Sequence, residues 1–163
     1  MLLLPLLGCT DAPNAPTCRT STPPAQGHSR AVCLIPGGFN QVLMLRDDTA
    51  TVTFPMADTA GQSNEQCVLH QQIWRETGIN VEIGKRLVTT NHNTAIYACS
   101  EQAGLAAITT SFPSPQWANP SVEWVKRDPF VLTEQSMADK DVLVPMRDAL
   151  IRLQQQNKPE SDH

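Results

Sequence analysis

Three glutamates are the residues of this chain that could support catalysis: Glu65, Glu76 and Glu123. Hard divalent cations such as Mg²⁺ prefer carboxylate oxygens as ligands, and a bound cation can neutralise charge as a bond breaks. Glu76 is the candidate metal ligand among them. Gln72, one helical turn before it, supplies an amide instead of a further carboxylate, and Arg75, directly before it in sequence, supplies a cation.

The segment from Phe54 to Ile79 must position the first two of these glutamates. It begins at the end of a strand, passes through a loop that contains Pro and Gly, and predicts a helix over about 64–77. Either Ser63 or Asn64 can cap the start of this helix, because both side chains accept backbone hydrogen bonds. Gly78 is expected to end it. One helical face should carry the apolar residues Val68, Leu69 and Ile73.

The stretch from Ala57 to Ile79 resembles the Nudix box, the signature of the Nudix hydrolase family. That signature is Gly, five residues, Glu, seven residues, and then Arg-Glu-apolar-any-Glu-Glu-any-Gly-apolar. The positions that match are Ile73, Glu76, Gly78 and Ile79. The positions that differ are Ala57, Ser63, Gln71, Gln72 and Arg75.

The matching positions mainly build the fold, whereas most of the differing positions perform the chemistry in the family. Gln72 offers only a neutral carbonyl oxygen, and Arg75 places a cation where the resemblance implies a metal-binding carboxylate. We therefore expect a degenerate site in which Glu76 binds Mg²⁺ weakly. No catalytic residue is assigned, no cofactor is expected, and Mg²⁺ would be the cofactor if the site were active.

Each glutamate also has a structural interpretation. Glu76 is either a residual metal ligand or a solvated residue of the last helical turn, and we favour the second. Glu65 either replaces the lost first Glu of the box or complements the helix dipole, and we favour the second. Glu123 precedes Trp124 and resembles a late acidic position of some Nudix enzymes. In the family that carboxylate usually lies farther ahead of the Trp, where Asn119 and Ser121 stand in this chain, so Glu123 departs from the family position.

The N-terminus predicts export. Leu6 to Cys9 resembles a bacterial lipobox, with Cys9 as the site of lipid attachment. Residues 1–8 would then be the remnant of a signal peptide and residues 9–28 a tether, since Pro, Thr, Ala and Ser dominate there. Thr10, directly after the Cys, favours the outer membrane in enterobacterial-type sorting. We predict a domain over 29–157 and a polar tail over 158–163.

The remaining cysteines are even in number, which is typical of an exported protein with disulfides. They are Cys18, Cys33, Cys67 and Cys99. Three pairings are open, and we favour Cys18 with Cys33 and Cys67 with Cys99. If the protein were cytoplasmic, free buried thiols would be the better interpretation.

The rest of the chain predicts an α/β fold. Apolar runs at 31–35 and 41–45 flank a turn and suggest a hairpin. Further strands are expected at 51–54, 80–89, 94–99, 106–112 and 122–125, and a C-terminal helix at about 145–156. The Nudix resemblance implies the same architecture, an α/β/α sandwich with a mixed sheet between the two helices.

Two functions remain open. The favoured one is a catalytically degenerate, lipid-anchored binding module on the periplasmic side, which binds an unknown small molecule or a periplasmic protein. The alternative is an active hydrolase of a diphosphate-linked substrate with a rearranged Mg²⁺ site. A net charge of -4 gives no electrostatic reason to expect nucleic acid as a partner. His70 and His92 lack metal-ligating neighbours in sequence and are expected to be structural.

Overall fold

The computed structural model describes residues 12–101 and 111–157, which form nine strands, two α-helices and two short 3-10 helices in these two ranges. The strands are β1 Arg30–Leu34, β2 Pro36–Gly38, β3 Gln41–Arg46, β4 Val52–Thr53, β5 Met56–Asp58, β6 Glu82–Thr89, β7 Thr94–Ser100, β8 Phe112–Pro113 and β9 Glu123–Arg127. The α-helices are α1 Glu65–Thr77 and α2 Leu143–Gln156, and the 3-10 helices are Glu134–Ser136 and Lys140–Val142.

The strands form two sheets. The first has the order β5-β1-β7-β6 and is mixed, because β1 and β7 are parallel while the other pairs are antiparallel. The second has the order β2-β3-β9-β8, with β4 also paired to β3, and is antiparallel. The N-terminal signal and lipobox, the tail 158–163 and all but the end of the strand predicted at 106–112 lie outside the described residues.

Alternating side chains of the sheets build two separate cores. On one face, residues such as Cys33, Leu43 and Trp124 pack against Leu69 and Ile73 of α1. On the other face, Val32, Met44 and Val125 belong to the same cluster as Met146 and Leu150 of α2. The helices therefore cover opposite faces of the strand layer, which confirms the predicted α/β/α fold class. Within the described residues, no helix has the length and apolarity needed to cross a bilayer.

The hairpin predicted from the two first apolar runs is only partly correct. The first arm of the hairpin is β2, where Pro36 pairs with Val42, and the carbonyl oxygen of Ile35 accepts a hydrogen bond from the backbone N–H of Leu43 at 2.9 Å. β1 itself pairs with β5 and β7 in the other sheet. The chain thus passes from one sheet to the other at Ile35, within a single apolar run.

Both disulfides form, but the predicted pairing is wrong. Cys18 bonds Cys67, with 5.3 Å between the Cα atoms, and Cys33 bonds Cys99, with 5.7 Å between them. β1 and β7 are parallel neighbours, so Cys33 lies next to the strand that carries Cys99. Disulfides persist in oxidising compartments, so these two bonds indicate an extracytoplasmic environment.

Candidate functional site

The box helix α1 begins and ends where the local chemistry predicts. Of the two possible caps, Asn64 is used: its side chain accepts a hydrogen bond from the backbone N–H of Cys67 at 3.2 Å. Gly78 ends the helix in the left-handed region with φ 73°, and its N–H donates to the carbonyl oxygen of Trp74 at 2.8 Å. The end of the helix that carries Glu76 is therefore fixed by its own backbone.

The five box positions that depart from the signature do not form a carboxylate cluster. Ala57 is buried in β5, and Ser63 is exposed in the loop before α1. Gln71 and Arg75 are exposed on the helix surface, one turn apart, and Gln72 is half-buried. Around Glu76, α1 therefore presents two amides and a guanidinium.

Glu76 is half-buried near the C-terminal end of α1 and has one side-chain partner. The amide nitrogen Nε2 of Gln72 donates a hydrogen bond to Oε1 of Glu76 at 2.7 Å. Burial raises the pKa of Glu76, and the hydrogen bond from Gln72 offsets this only in part. The net effect disfavours the charged form that a metal ligand needs.

Glu65, at the N-terminal end of α1, is completely buried and engaged by its neighbours. The hydroxyl of Tyr97 donates to its Oε1, Nδ1 of His28 lies 2.7 Å from the same oxygen, and the backbone N–H of His28 donates to Oε2 at 3.2 Å. Burial, together with the hydrogen bond and charge of Glu65, raises the pKa of Tyr97. The favoured sequence interpretation, that Glu65 complements the helix dipole, did not include this burial or these partners.

The hydrogen-bond network fixes the tautomer of His28. Its Nε2 lies 3.3 Å from Nη1 of Arg86, and a guanidinium can only donate. Nε2 must therefore accept, so the ring hydrogen is on Nδ1 and is donated to Glu65. His28 and Tyr97 lie 37 and 32 residues from Glu65 in sequence, and no local sequence signal identifies them.

Glu123 lies on the opposite face of the strand layer from α1. It forms an ion pair with Arg46, its cross-strand partner. The next cross-strand pair, Trp124 and Leu45, belongs to the core under α1, and side chains alternate along a strand. Glu123 therefore points to the side that α2 covers.

The three candidate glutamates consequently do not meet. Glu65 and Glu76 are eleven residues apart in one helix, which corresponds to about 16 Å at a rise of about 1.5 Å per residue. Glu123 is separated from both by the strand layer. Within residues 12–101 and 111–157, no group of three or more His, Cys, Asp or Glu side chains is placed to hold a metal ion, so the described residues do not fit the Mg²⁺ site that the resemblance implies.

The loop before β9 packs on the C-terminal end of α1. The backbone N–H of Asn119 donates to the carbonyl oxygen of Glu76 at 3.2 Å. The rings of Trp74 and Trp117 lie 5.1 Å apart, centre to centre, and a Cβ atom added to Gly78 would lie 2.7 Å from Cγ of Pro115. These contacts account for both half-buried tryptophans as packing residues at the end of the helix.

The two histidines expected to be structural differ in environment. His70 is buried, and its Nε2 lies 2.8 Å from Oδ1 of Asn80. His92 is exposed in the turn between β6 and β7.

Comparisons with known proteins identify the fold. No protein-family model matches the sequence, and no curated protein matches it significantly. Among solved structures, an ADP-ribose pyrophosphatase from Streptococcus suis is similar with a TM-score of 0.56 and 9% identity, over 82% of this chain and 94% of that chain. A UDP-X diphosphatase is similar with a TM-score of 0.57 and 10% identity, over 85% and 68% of the two chains. A Nudix hydrolase from Nitrosomonas europaea has a TM-score of 0.52 and 12% identity, over 83% and 76%. The chain therefore has a Nudix-like fold, and at such identities the likeness shows the fold alone.

Proposed function

We propose that this protein is a lipoprotein whose Nudix-like domain binds a small molecule or a protein partner and does not hydrolyse diphosphates by the standard metal-dependent mechanism. The fold provides the scaffold, and the residues of the box decide the chemistry.

The separation of the candidate carboxylates carries this proposal. Glu123 is paired with Arg46 on the far face, and Glu65 is held in the core by Tyr97 and His28. Only Glu76 remains near the surface of the box helix, where it is half-buried and its pKa is raised by that burial. A rearranged site that uses all three would require the core to open.

Electrostatics at the box helix also opposes a divalent cation. Arg75 stands at the box position where the resemblance implies a metal-binding carboxylate, so Mg²⁺ bound at that position would meet a guanidinium instead. Two like charges a few ångströms apart repel each other by several kcal/mol at the surface of a protein. Gln72 contributes no charge, so the carboxylate of Glu76 alone would have to compensate both Mg²⁺ and the guanidinium of Arg75.

The proposed location follows from the cysteines. Two disulfides indicate an oxidising compartment, and the lipobox resemblance at Leu6 to Cys9 supports a lipid anchor at Cys9, in the outer membrane according to Thr10. Replacement of Cys9 by Ser should move the protein from the membrane pellet to the soluble fraction, and a protein that stays in the pellet would contradict the anchor.

The function is tested by restoring the missing charges. The double variant Gln72→Glu with Arg75→Glu should bind Mg²⁺ more tightly than the wild type, whose affinity we expect to be millimolar or weaker and insensitive to Glu76→Gln. The matched control is Arg152→Glu with Gln155→Glu, which changes the charge equally at exposed positions of α2. This control should leave the affinity for Mg²⁺ unchanged. The affinity for Mg²⁺ is measured by calorimetric titration for the wild type and the three variants.

A hydrolysis assay tests the alternative function, an active diphosphate hydrolase. The wild type and both double variants are incubated with Mg²⁺ and a panel of nucleoside-diphosphate-linked compounds, and release of phosphate or nucleoside monophosphate is measured. Tight Mg²⁺ binding by the wild type that Glu76→Gln abolishes, together with product release, would establish the hydrolase instead. Hydrolysis by the wild type as fast as by the restored variant would also overturn the degenerate site.

A further inference from the structure

The N-terminal strap, which we define as Cys18 to Gly27, lies across the start of α1 although its composition predicts a free tether. The side chain of Gln66 binds it at three points: Oε1 accepts from the backbone N–H of Ala25 at 2.7 Å, and Nε2 donates at 3.0 Å to both Thr22 and Pro23. These contacts explain why Gln66, a polar residue, is buried.

The strap also pairs with the edge of the first sheet. Ile83 of β6 donates its backbone N–H to the carbonyl oxygen of Arg19 at 2.9 Å and accepts a hydrogen bond from the N–H of Ser21 at 3.1 Å. The strap therefore connects two elements of the domain, α1 and β6, by polar contacts.

The strap contributes little apolar burial. None of its residues belongs to either core cluster, and all of its positions are exposed or half-buried. Ordering a segment costs about 1–2 kcal/mol of conformational entropy at every residue, whereas a hydrogen bond contributes a net stabilisation of only about 0.5–1.5 kcal/mol. Its order should therefore depend on the covalent link to α1.

The two disulfides differ in their access to solvent. Cys33 and Cys99 are 0% and 5% exposed and lie in the core under α1, whereas Cys18 and Cys67 are both half-buried at the surface. Cys67 is the third residue of α1, and the positive end of the helix dipole favours a thiolate there. A good leaving thiolate accelerates attack on the other sulfur, that of Cys18.

We propose that the Cys18–Cys67 disulfide is a thiol–disulfide exchange site for a dithiol reductant, and that its reduction releases the strap. The reductant's thiolate attacks Sγ of Cys18, the bond to Cys67 breaks, and Cys67 leaves as a thiolate that takes up a proton. The second thiol of the reductant then displaces Cys18, so the reductant is oxidised to its disulfide and the protein gains two thiols. Cys33–Cys99 stays intact, because a reductant cannot reach it in the folded domain.

Release of the strap would lengthen the connection to the membrane, a consequence that rests on the proposed anchor at Cys9. Cys9 and Cys18 are about nine Cα-to-Cα steps apart and span at most about 30 Å, at about 3.5 Å per extended step. With the strap free, Cys9 and His28 are about nineteen steps apart and span up to about 65 Å. Reduction would thus double the distance from the membrane at which the domain can meet a partner.

Graded reduction of the full-length protein with dithiothreitol tests the exchange site. Samples are quenched in acid, alkylated and analysed by mass spectrometry. Cys18 and Cys67 should be labelled first, and Cys33 and Cys99 only under conditions that unfold the domain. Simultaneous labelling of all four, or earlier labelling of Cys33 and Cys99, would overturn the proposal.

Limited trypsin digestion tests the release of the strap. Cleavage after Arg19 should accelerate at least about tenfold on reduction, because local opening exposes the strap, while cleavage after Arg30 in β1 should not change. The double variant Cys18→Ser with Cys67→Ser should show the fast cleavage without reductant and no further response to it. Equal cleavage of oxidised and reduced protein would show that the strap stays bound without the disulfide, and would refute its release.

Discussion

Replacement of Gly78 by Ala probes how the loop before β9 is held against the end of α1. Gly78 adopts φ 73°, in the left-handed region that L side chains rarely adopt. An added Cβ would lie 2.7 Å from Cγ of Pro115 and 3.1 Å from Cζ2 of Trp117. Carbon atoms in contact lie about 3.5–4.0 Å apart, so the loop would have to move by about 1 Å.

Gly61 offers a matched control. It has the same φ of 73°, and a Cβ added there would have no atom within 4 Å. Gly61→Ala therefore carries the backbone cost alone, about 1–2 kcal/mol for the left-handed conformation, reduced by about 0.4–1 kcal/mol because Ala restricts the unfolded chain. Gly78→Ala adds the cost of overpacking, about 1–3 kcal/mol.

The difference between the two variants isolates the packing of the loop. We expect Gly78→Ala to be less stable than Gly61→Ala by about 2 kcal/mol in urea unfolding, which corresponds to about 4–8 °C in Tm for a domain of this size. The emission of the tryptophans should also change in Gly78→Ala, because Trp117 must move from Trp74. Losses of stability that agree within about 0.5 kcal/mol would show that Pro115 and Trp117 do not pack on the end of the helix.

Two further predictions concern the buried and half-buried glutamates. Tyr97→Phe removes the hydroxyl that donates to the buried carboxylate of Glu65, while the contact of Glu65 with His28 remains. The variant should lose about 1.5–3 kcal/mol of unfolding free energy at neutral pH, measured by urea unfolding. An unchanged unfolding free energy would mean that this hydrogen bond does not form. Glu76 has a folded-state pKa raised above its ordinary value of 4.5, so the wild type loses stability as the pH rises from that value through the folded pKa. Glu76→Gln should remove this loss, and the stability of the variant relative to the wild type should increase between pH 4 and pH 7; a difference that stays constant with pH would contradict the raised pKa.

Local sequence signals located the helices and most strands. Asn64 and Gly78 bound α1 because capping and the left-handed stop depend on a few adjacent residues. α2 has no side-chain cap at its N-terminal end, and it begins at Leu143, two residues before the predicted start. The apolar run at 31–35 was harder to interpret, because neither its hydrophobic periodicity nor its composition indicates that the chain passes from one sheet to the other at Ile35.

The candidate site could be predicted only in part. The replacement of carboxylates by Gln72 and Arg75 is a matter of residue identity, which the sequence states directly. The environment of Glu65 depends on two residues that are distant in sequence, His28 before β1 and Tyr97 in β7. The direction in which Glu123 points depends on the register of β9 with β3. Neither contact leaves a local signal.

By itself, the sequence determined the ends of α1, the α/β class and the loss of the box carboxylates, because each follows from residues near one another or from residue identity alone. Only the tertiary structure decided that Cys18 bonds Cys67 and Cys33 bonds Cys99, across 49 and 66 residues. It also decided that the three glutamates lie apart. The physical reason is that these relations depend on which strands become neighbours and which face each side chain takes, and both are set by packing of the whole chain around its two cores.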